Sequence, residues 1–460
     1  MGTHEDNGKC GMASVLFNLM GEDKGAEYFS RMSLASHGAE RDCGHTGNFW
    51  NITWSMPAVA QSGPHATGAW MREFGAWYFD LARKWDGSFP HQGPPQPGPD
   101  STSGWDATGS YLLAYAMPLK KIYLTGKRAA TTPQLDAAGA ASIIDDGRGW
   151  SNSDRNSHYD AFDEKELMTR LASWSPVVRE RAAMALARRK GIEPINQLIK
   201  MLDAADVETR LGACQALAMF KTQAAPAIPA LRANLKHDDL WLRVKAAQAI
   251  AATGDAGMVV LPELLERLAK DPTAADPRGM EQRYLSVIVF GQMLKKSLDG
   301  VDQDQLRKAV AAGLKNQDGR SRGVVGGIYG KFTYEQIKPL LPAIHEAIVT
   351  PSPSGIMFAD GIRIAGLKVF AKHRIKEGIP LCLSLLDLDR WNKRSRIQQC
   401  LEALAAYGPA AKPMLPQLRQ LEKDLLAHPE AKGLQEQIGQ VRTLVRNLET
   451  ATGTVELRSM

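Results

Sequence analysis

The residues of this 460-residue chain whose types and spacing could do chemistry gather near its N-terminus. Cys10, Cys43 and His45 offer two thiolates and an imidazole, a set that suits Zn²⁺ and leaves a fourth position open for substrate. The plainer account is two small buried thiols and a loop-capping histidine. Glu40, Asp42 and His45, with Asp86, His91 and Asp106 in later loops, offer carboxyls and imidazoles for general acid–base work on a glycan. Asp at a helix start is equally what capping requires. Trp50, Trp54, Trp70, Trp77 and Trp85 could stack on sugars or face a cation. Trp70, Trp77 and Trp85, however, recur near helical spacing, the pattern of a packed face. Glu40, Asp42 and His45 are therefore the catalytic candidates, and Cys10, Cys43 and His45 the metal candidates. Zinc is the one cofactor these residues suggest, and otherwise none is expected. No phosphate loop, nucleotide fingerprint, HExxH pair or Gly-x-Ser-x-Gly elbow is present.

The elements that must position these residues read as helices at about 9–20, 24–36, 48–60, 66–85 and 105–124, alternating with Gly-rich loops that carry the polar and aromatic residues. That is the organisation of an α/α toroid, in which helix N-termini open into a central funnel and present unpaired N–H groups to anionic ligands. Residues 126–163 are poor in apolar periodicity and rich in Gly, Ser and Thr-Pro, so they read as a linker that wraps the junction.

Beyond it lies an internal repeat. Leu171, Leu202, Leu235, Leu314 and Leu386 are each followed eight positions later by an arginine: Arg179, Arg210, Arg243, Arg322 and Arg394. Leu268–Arg283 and Ile348–Arg363 fit if each turn carries a seven-residue insertion. Each unit reads as an antiparallel helix pair whose turn residue, such as Asp206 or Asp239, caps the second, alanine-rich helix. One pair cannot bury its apolar face alone, so the pairs must stack. The recurring arginine is expected to donate to carbonyls or to a neighbouring unit's turn carboxylate; a ligand-binding arginine ladder is the alternative. The Pro- and Gly-rich insertions, residues 271–279 and 351–361, are expected to project from the edge as specificity loops or tolerated insertions. The run from Gly323 to Gly330 aligns with a second helix and reads as close helix packing rather than a phosphate loop. Residues 409–450 read as a polar-faced helical cap, and 450–460 as a frayed tail.

The turn Asp and second-helix Arg resemble those of HEAT repeats, the armadillo-like arrays, and the resemblance covers about residues 164–405. It implies architecture, and a role in binding other proteins or, less often, nucleic acid. Gly44-His45-Thr46-Gly47-Asn48-Phe49-Trp50-Asn51, preceded by Glu40-Arg41-Asp42, together with Asn7-Gly8-Lys9, resembles a bacterial family without an assigned activity. In it, an α/α toroid of the terpenoid-cyclase type precedes HEAT-like repeats. Cys10 with Cys43-Gly44-His45 is also similar to the zinc sites of toroidal lanthionine cyclases and prenyltransferases, although Gly44 splits the Cys-His pair here. Fewer hairpins are present than a full toroid holds, and the chain begins inside a motif. The expectation is a piece of a longer protein or a start site placed too late.

The fold expected is all-α: a partial α/α toroid at 1–125, a linker at 126–163, a HEAT-like α-solenoid at 164–408 and a helical cap at 409–450. Charge follows the same split. Residues 1–160 hold 13 Lys and Arg against 17 Asp and Glu, and residues 161–460 hold 43 against 33. The basic charges of the second part are interleaved rather than blocked, so nucleic acid is the weakest partner class. No apolar run is long enough to cross a membrane. Five scattered cysteines make no disulfide framework, so the chain as written reads as cytoplasmic, and as exported if a leader precedes Met1. Two functions are weighed. One is an interaction scaffold holding a partner protein on the solenoid face. The other is a fragment of a toroid enzyme, a hydrolase or lyase, acting on a carbohydrate or similar polar ligand.

Overall fold

The computed structural model describes residues 8–40, 48–90, 106–119, 130–150, 155–191, 194–355 and 358–460. Of residues 36–40, 48–51, 77–78 and 155 it describes the backbone alone. The fold is all-α. Among the described residues no strand forms, only isolated bridges between single residue pairs. No helix there is long and apolar enough to cross a membrane. The chain divides into two compact units, Met1–Phe220 and Lys221–Met460.

The first unit opens with α1 (Lys9–Met20), α2 (Asp23–Glu40) and α3 (Asn48–Val59). Gly21 ends α1 in the left-handed conformation and returns its N–H to Asn18 and Phe17, which turns the chain sharply into α2. Helices α4 (Pro64–Gly75), α5 (Thr108–Ala116) and α6 (Ala137–Gly147) complete a core built on Met32, Ile52, Trp70, Tyr111, Ile143 and Trp150. Helix α4 is shorter than the predicted 66–85. It loosens into a π turn at Ala76–Asp80, and the Lys84 N–H closes a turn on the Ser88 carbonyl. Helix α5 likewise falls short of the predicted 105–124, tightening into a 3-10 turn at Met117–Leu119 where Pro118 interrupts the ladder. The stretch read as linker holds α6. Its N-cap Asp136 accepts from Gly139, and its Ile143 and Ile144 enter the core. Next come α7 (Arg155–Tyr159) and two helix pairs: α8 (Glu164–Arg170) with α9 (Pro176–Arg188), and α10 (Ile195–Met201) with α11 (Val207–Phe220). Val177 and Val178 of α9 share the core of α1–α6, so the first repeat pair and the N-terminal helices are one packed body.

The second unit continues the pairs. They are α12 (Ile228–Asn234) with α13 (Leu240–Ala252), α14 (Leu261–Leu268) with α15 (Met280–Ile288), and α16 (Gln303–Leu314) with α17 (Gly319–Gly326). After the short α18 (Tyr334–Ile337) follow α19 (Leu341–Val349) with α20 (Asp360–Lys372), and α21 (Gly378–Ser384) with α22 (Lys393–Ala405). Helices α23 (Leu415–Ala427) and α24 (Gln435–Thr450) close the order, with α24 packed on α22. Helices α13, α15, α17, α20 and α22 lie successively against one another, so their N-termini line one edge. Gly326 permits the close approach of α17 to α20: a Cβ there would sit 2.8 Å from that of Ala365. The Gly-rich run is helix packing at Gly326, while residues 327–330 lie beyond α17 in a turn and the start of a 3-10 turn at Tyr329–Lys331. The described residues of the second insertion do not project. Ser354 pairs with the preceding turn, its N–H donating to the Gln317 carbonyl and its own carbonyl accepting from Gly319. Nor is the C-terminus frayed: the Arg458 N–H donates to Arg374 and its carbonyl accepts from Lys376.

Candidate functional site

The N-terminal candidates separate in the structure. Cys10, on α1, is half-buried against the core of the first unit, near Tyr28, whose hydroxyl burial pushes above its ordinary pKa. Asp42, Cys43, His45 and His91 lie outside the described residues, as do the side chains of Glu40, Trp50 and Trp77. Among the described residues no three His, Cys, Asp or Glu side chains stand together as a metal would need. Asp86 accepts from the Ser88 hydroxyl and N–H, and Asp106 from the Thr108 hydroxyl and N–H. Those bonds hold both exposed carboxyls below the usual carboxylate range. A general acid needs the opposite shift. A short bridge between Pro90 and Asp106 brings the two turns together, with Ala107 donating to Phe89. Trp70 is fully buried beside Phe74, whereas Trp85 stands 97% exposed on the turn after α4.

The repeat edge is the better-built surface. Ser175, Asp206, Asp239 and Asp318 each accept from the N–H three residues on, at 3.4, 2.8, 2.7 and 3.1 Å, and so cap α9, α11, α13 and α17. In α15 the insertion supplies the cap instead, with Asp276 accepting from Met280 and Glu281. Four positions after the cap stands the arginine. Arg179, Arg210, Arg243 and Arg322 donate to the carbonyls of Ser173, Ala204, His237 and Asn316, each six residues back. Arg363, beyond the longer turn, reaches the Ile348 carbonyl. Burial pushes Arg179, Arg322 and Arg363 below the ordinary arginine value, but nothing near pH 7 titrates them.

The last repeat corrects the sequence register. Arg394 is exposed, and Arg396 takes the structural place: it is 1% exposed and donates to the carbonyls of Arg390, Trp391 and Asp387. Its turn is longer because Asn392 takes the left-handed conformation just before α22, which moves the buried arginine on from position 394 to 396.

Some of these arginines, and others beside them, bind further groups within and between the pairs. Arg179 donates to Gln215. Arg243 and Arg267 both bind Glu281, at 2.6 and 2.8 Å. Arg283 lies 3.4 Å from Asp318, Arg322 donates to the Thr350 carbonyl, and Arg390 and Arg396 both bind Asp360. Beside this polar seam stand exposed aromatic rings that periodicity alone did not single out: Trp241, Phe358 and Trp391. Trp241 packs edge-on to Tyr284, and the Arg320 guanidinium sits 3.8 Å over Phe358. Their signal in the sequence is position, since each lies within two residues of a second-helix cap.

Comparison with known families finds two matches. Residues 1–126 match a domain of unknown function (DUF6288). Residues 164–251 and 195–279 match HEAT repeats. No curated protein matches the chain. The capped helix pairs of residues 164–279, with their recurring arginines, are HEAT repeats.

Proposed function

We propose that this protein is an interaction scaffold whose HEAT repeats hold a partner protein, joined to an N-terminal helical region of the α/α-toroid type. One observation carries the reading: the recurring polar side chains of the repeats are used inside the array. Caps close helix ends, arginines tie turns to themselves, and within the second unit Arg243 and Arg283 also reach the next pair. Neighbouring pairs are thereby held in a fixed arrangement, which lowers the ordering that a partner must impose on binding. Beside that seam Trp241 and Trp391 remain exposed, and Trp with Arg are the residue types enriched where protein interfaces gain their affinity. Asp86 and Asp106, by contrast, have carboxyls committed to local turns.

The test uses the intact chain. Partners captured by the full-length protein are chemically cross-linked to it and the cross-links mapped by mass spectrometry. The expected result is cross-links concentrated on residues 164–448. Cross-links confined to residues 1–126 would overturn the reading.

A further inference from the structure

Three successive turns of the second unit form one surface with a narrower chemistry than the array as a whole. They are residues 315–322, 349–355 with 358–363, and 386–396. Ser354 binds the second turn to the first through Gly319 and Gln317, at 3.0 and 2.9 Å. Asp360 binds the second to the third through Arg396 at 2.9 Å, and through Arg390. On the joined surface stand Arg320 stacked on Phe358, Trp391 at 68% exposure, and the exposed Arg394.

Exposed cations flank the rings. Lys315, Arg320 and Arg394 reach solvent, whereas Arg322 and Arg396 are buried in their turns, Arg390 is bound to Asp360, and Lys393 is bound to Glu430, which also faces Arg394. The middle turn is balanced, Arg363 against Asp360. The N-termini of α17, α20 and α22 open on the same edge and add their positive ends. Guanidinium groups fit carboxylates in a paired geometry that lysines do not match.

Resting on the scaffold reading above, we propose that this patch docks an extended acidic protein segment bearing a large apolar or aromatic side chain. Its carboxylates pair with Arg320 and Arg394, and its apolar side chain lies against Phe358 and Trp391. Mixed charge in the patch favours polypeptide over nucleic acid. Asp389, 97% exposed at its side chain, and Asp387 stand among the cations. A phosphate backbone, with its closely spaced charges, cannot avoid them, whereas a peptide carrying a few carboxylates can.

The experiment is fluorescence anisotropy on the full-length chain at physiological salt. The probe is a fluorescein-labelled peptide of Glu-Phe-Glu-Gly repeats, compared with its Gln-Phe-Gln-Gly counterpart and with labelled oligothymidylate. Arg320→Ala, Arg394→Ala and Trp391→Ala should each weaken the acidic peptide by about tenfold, the loss of one interface anchor. Trp391→Phe should keep most of the binding, and Lys412→Ala, away from the three turns, should change nothing. All three altered positions are exposed, and unchanged thermal melts would show that the fold is intact. Absence of peptide binding, equal binding by all variants, or tighter binding of oligothymidylate with the same losses would each overturn the proposal. The two readings also fail separately. If these variants bind the peptide normally while partner cross-links still map to residues 164–448, the patch is wrong and the scaffold stands. If cross-links leave the repeats while the peptide still docks here with the expected losses, the scaffold is wrong.

Discussion

Arg396 donates to the Asp360 carboxylate at 2.9 Å from a position that leaves it 1% exposed, and it satisfies three turn carbonyls besides. Removing one partner of a buried, hydrogen-bonded pair costs about 3–5 kcal/mol. Asp360 keeps Arg390 when Arg396 is lost, so Arg396→Ala should destabilise by about 3 kcal/mol, the lower end. Arg394→Ala, two residues away and exposed, should change stability by less than about 0.5 kcal/mol. Urea unfolding of the two variants measures the difference. Equal losses would mean that Arg396 is not the structural arginine of the last repeat.

Glu281 ties two arginines together and predicts an acid limit to stability. Burial pushes its carboxyl up, but hydrogen bonds and charge from Arg243 and Arg267 outweigh burial and hold it below its ordinary value of 4.5. A carboxyl depressed in the folded state contributes stability that is fully present above the unfolded value. That contribution is lost as pH falls through the folded value. Thermal melts should therefore fall below about pH 4.5, and Glu281→Gln should flatten that part of the profile while lowering stability at pH 7 by about 1–3 kcal/mol. A variant whose acid limb matches the parent's would show that Glu281 is not the group responsible.

How much of this was legible in the sequence depends on whether a feature repeats. The cap and the arginine recur in pair after pair because every turn has the same carbonyls to satisfy, so spacing alone disclosed them. In the last turn Leu386 and Arg394 keep the eight-residue interval by coincidence, and spacing cannot tell an exposed arginine from a buried one. The usable signal was Asn392, a residue that tolerates the left-handed conformation. Helix α6 was hidden by its composition: its alanines and glycines bury little, and only Asp136 at its cap and the Ile143–Ile144 pair mark it. The turns of Asp86 and Asp106 show why acidic residues in loops read ambiguously, since the same carboxyl serves a cap or a catalyst. The seating of Ser354 on the preceding turn and of Arg458 on residues 374–376 runs largely through backbone groups, which every residue has, and the side chains that help, the Ser354 hydroxyl on the Gln317 carbonyl and the Arg458 guanidinium over Tyr334, follow no repeat.

Gly212 sets the spacing between the first two repeat pairs. A Cβ there would fall 1.9 Å from the Leu171 carbonyl oxygen, a backbone atom that cannot rotate away. Gly212→Ala should cost about 1–3 kcal/mol, as overpacking does. Gly439 in α24 is the control, since a Cβ there meets nothing within 4 Å. Gly439→Ala should stabilise by up to about 1 kcal/mol. Both are read from chemical denaturation, and a neutral Gly212→Ala would show that α11 can move away from Leu171 without loss.

The C-terminal strap makes the last prediction. Arg458 closes a two-bond bridge to the connection after α20, donating to Arg374 and accepting from Lys376, while its guanidinium lies 4.0 Å over the Tyr334 ring. A cation over a ring near the surface contributes about 0.5–1 kcal/mol, and each backbone bond adds about as much. Arg374 holds the left-handed conformation at φ 56, a geometry that non-glycine residues adopt reluctantly. The bridge is what turns the backbone groups of residues 374 and 376 toward an extended neighbour rather than water. Hydrogen exchange separates these contributions. Deleting residues 451–460 should speed exchange of the Lys376 amide, because that N–H loses its acceptor, while amides in α13 keep their rates. Tyr334→Ala should give an intermediate effect, loosening the strap without removing its carbonyl. Lys376 exchange that is unchanged by the deletion would mean that the strap does not occupy this bridge in solution.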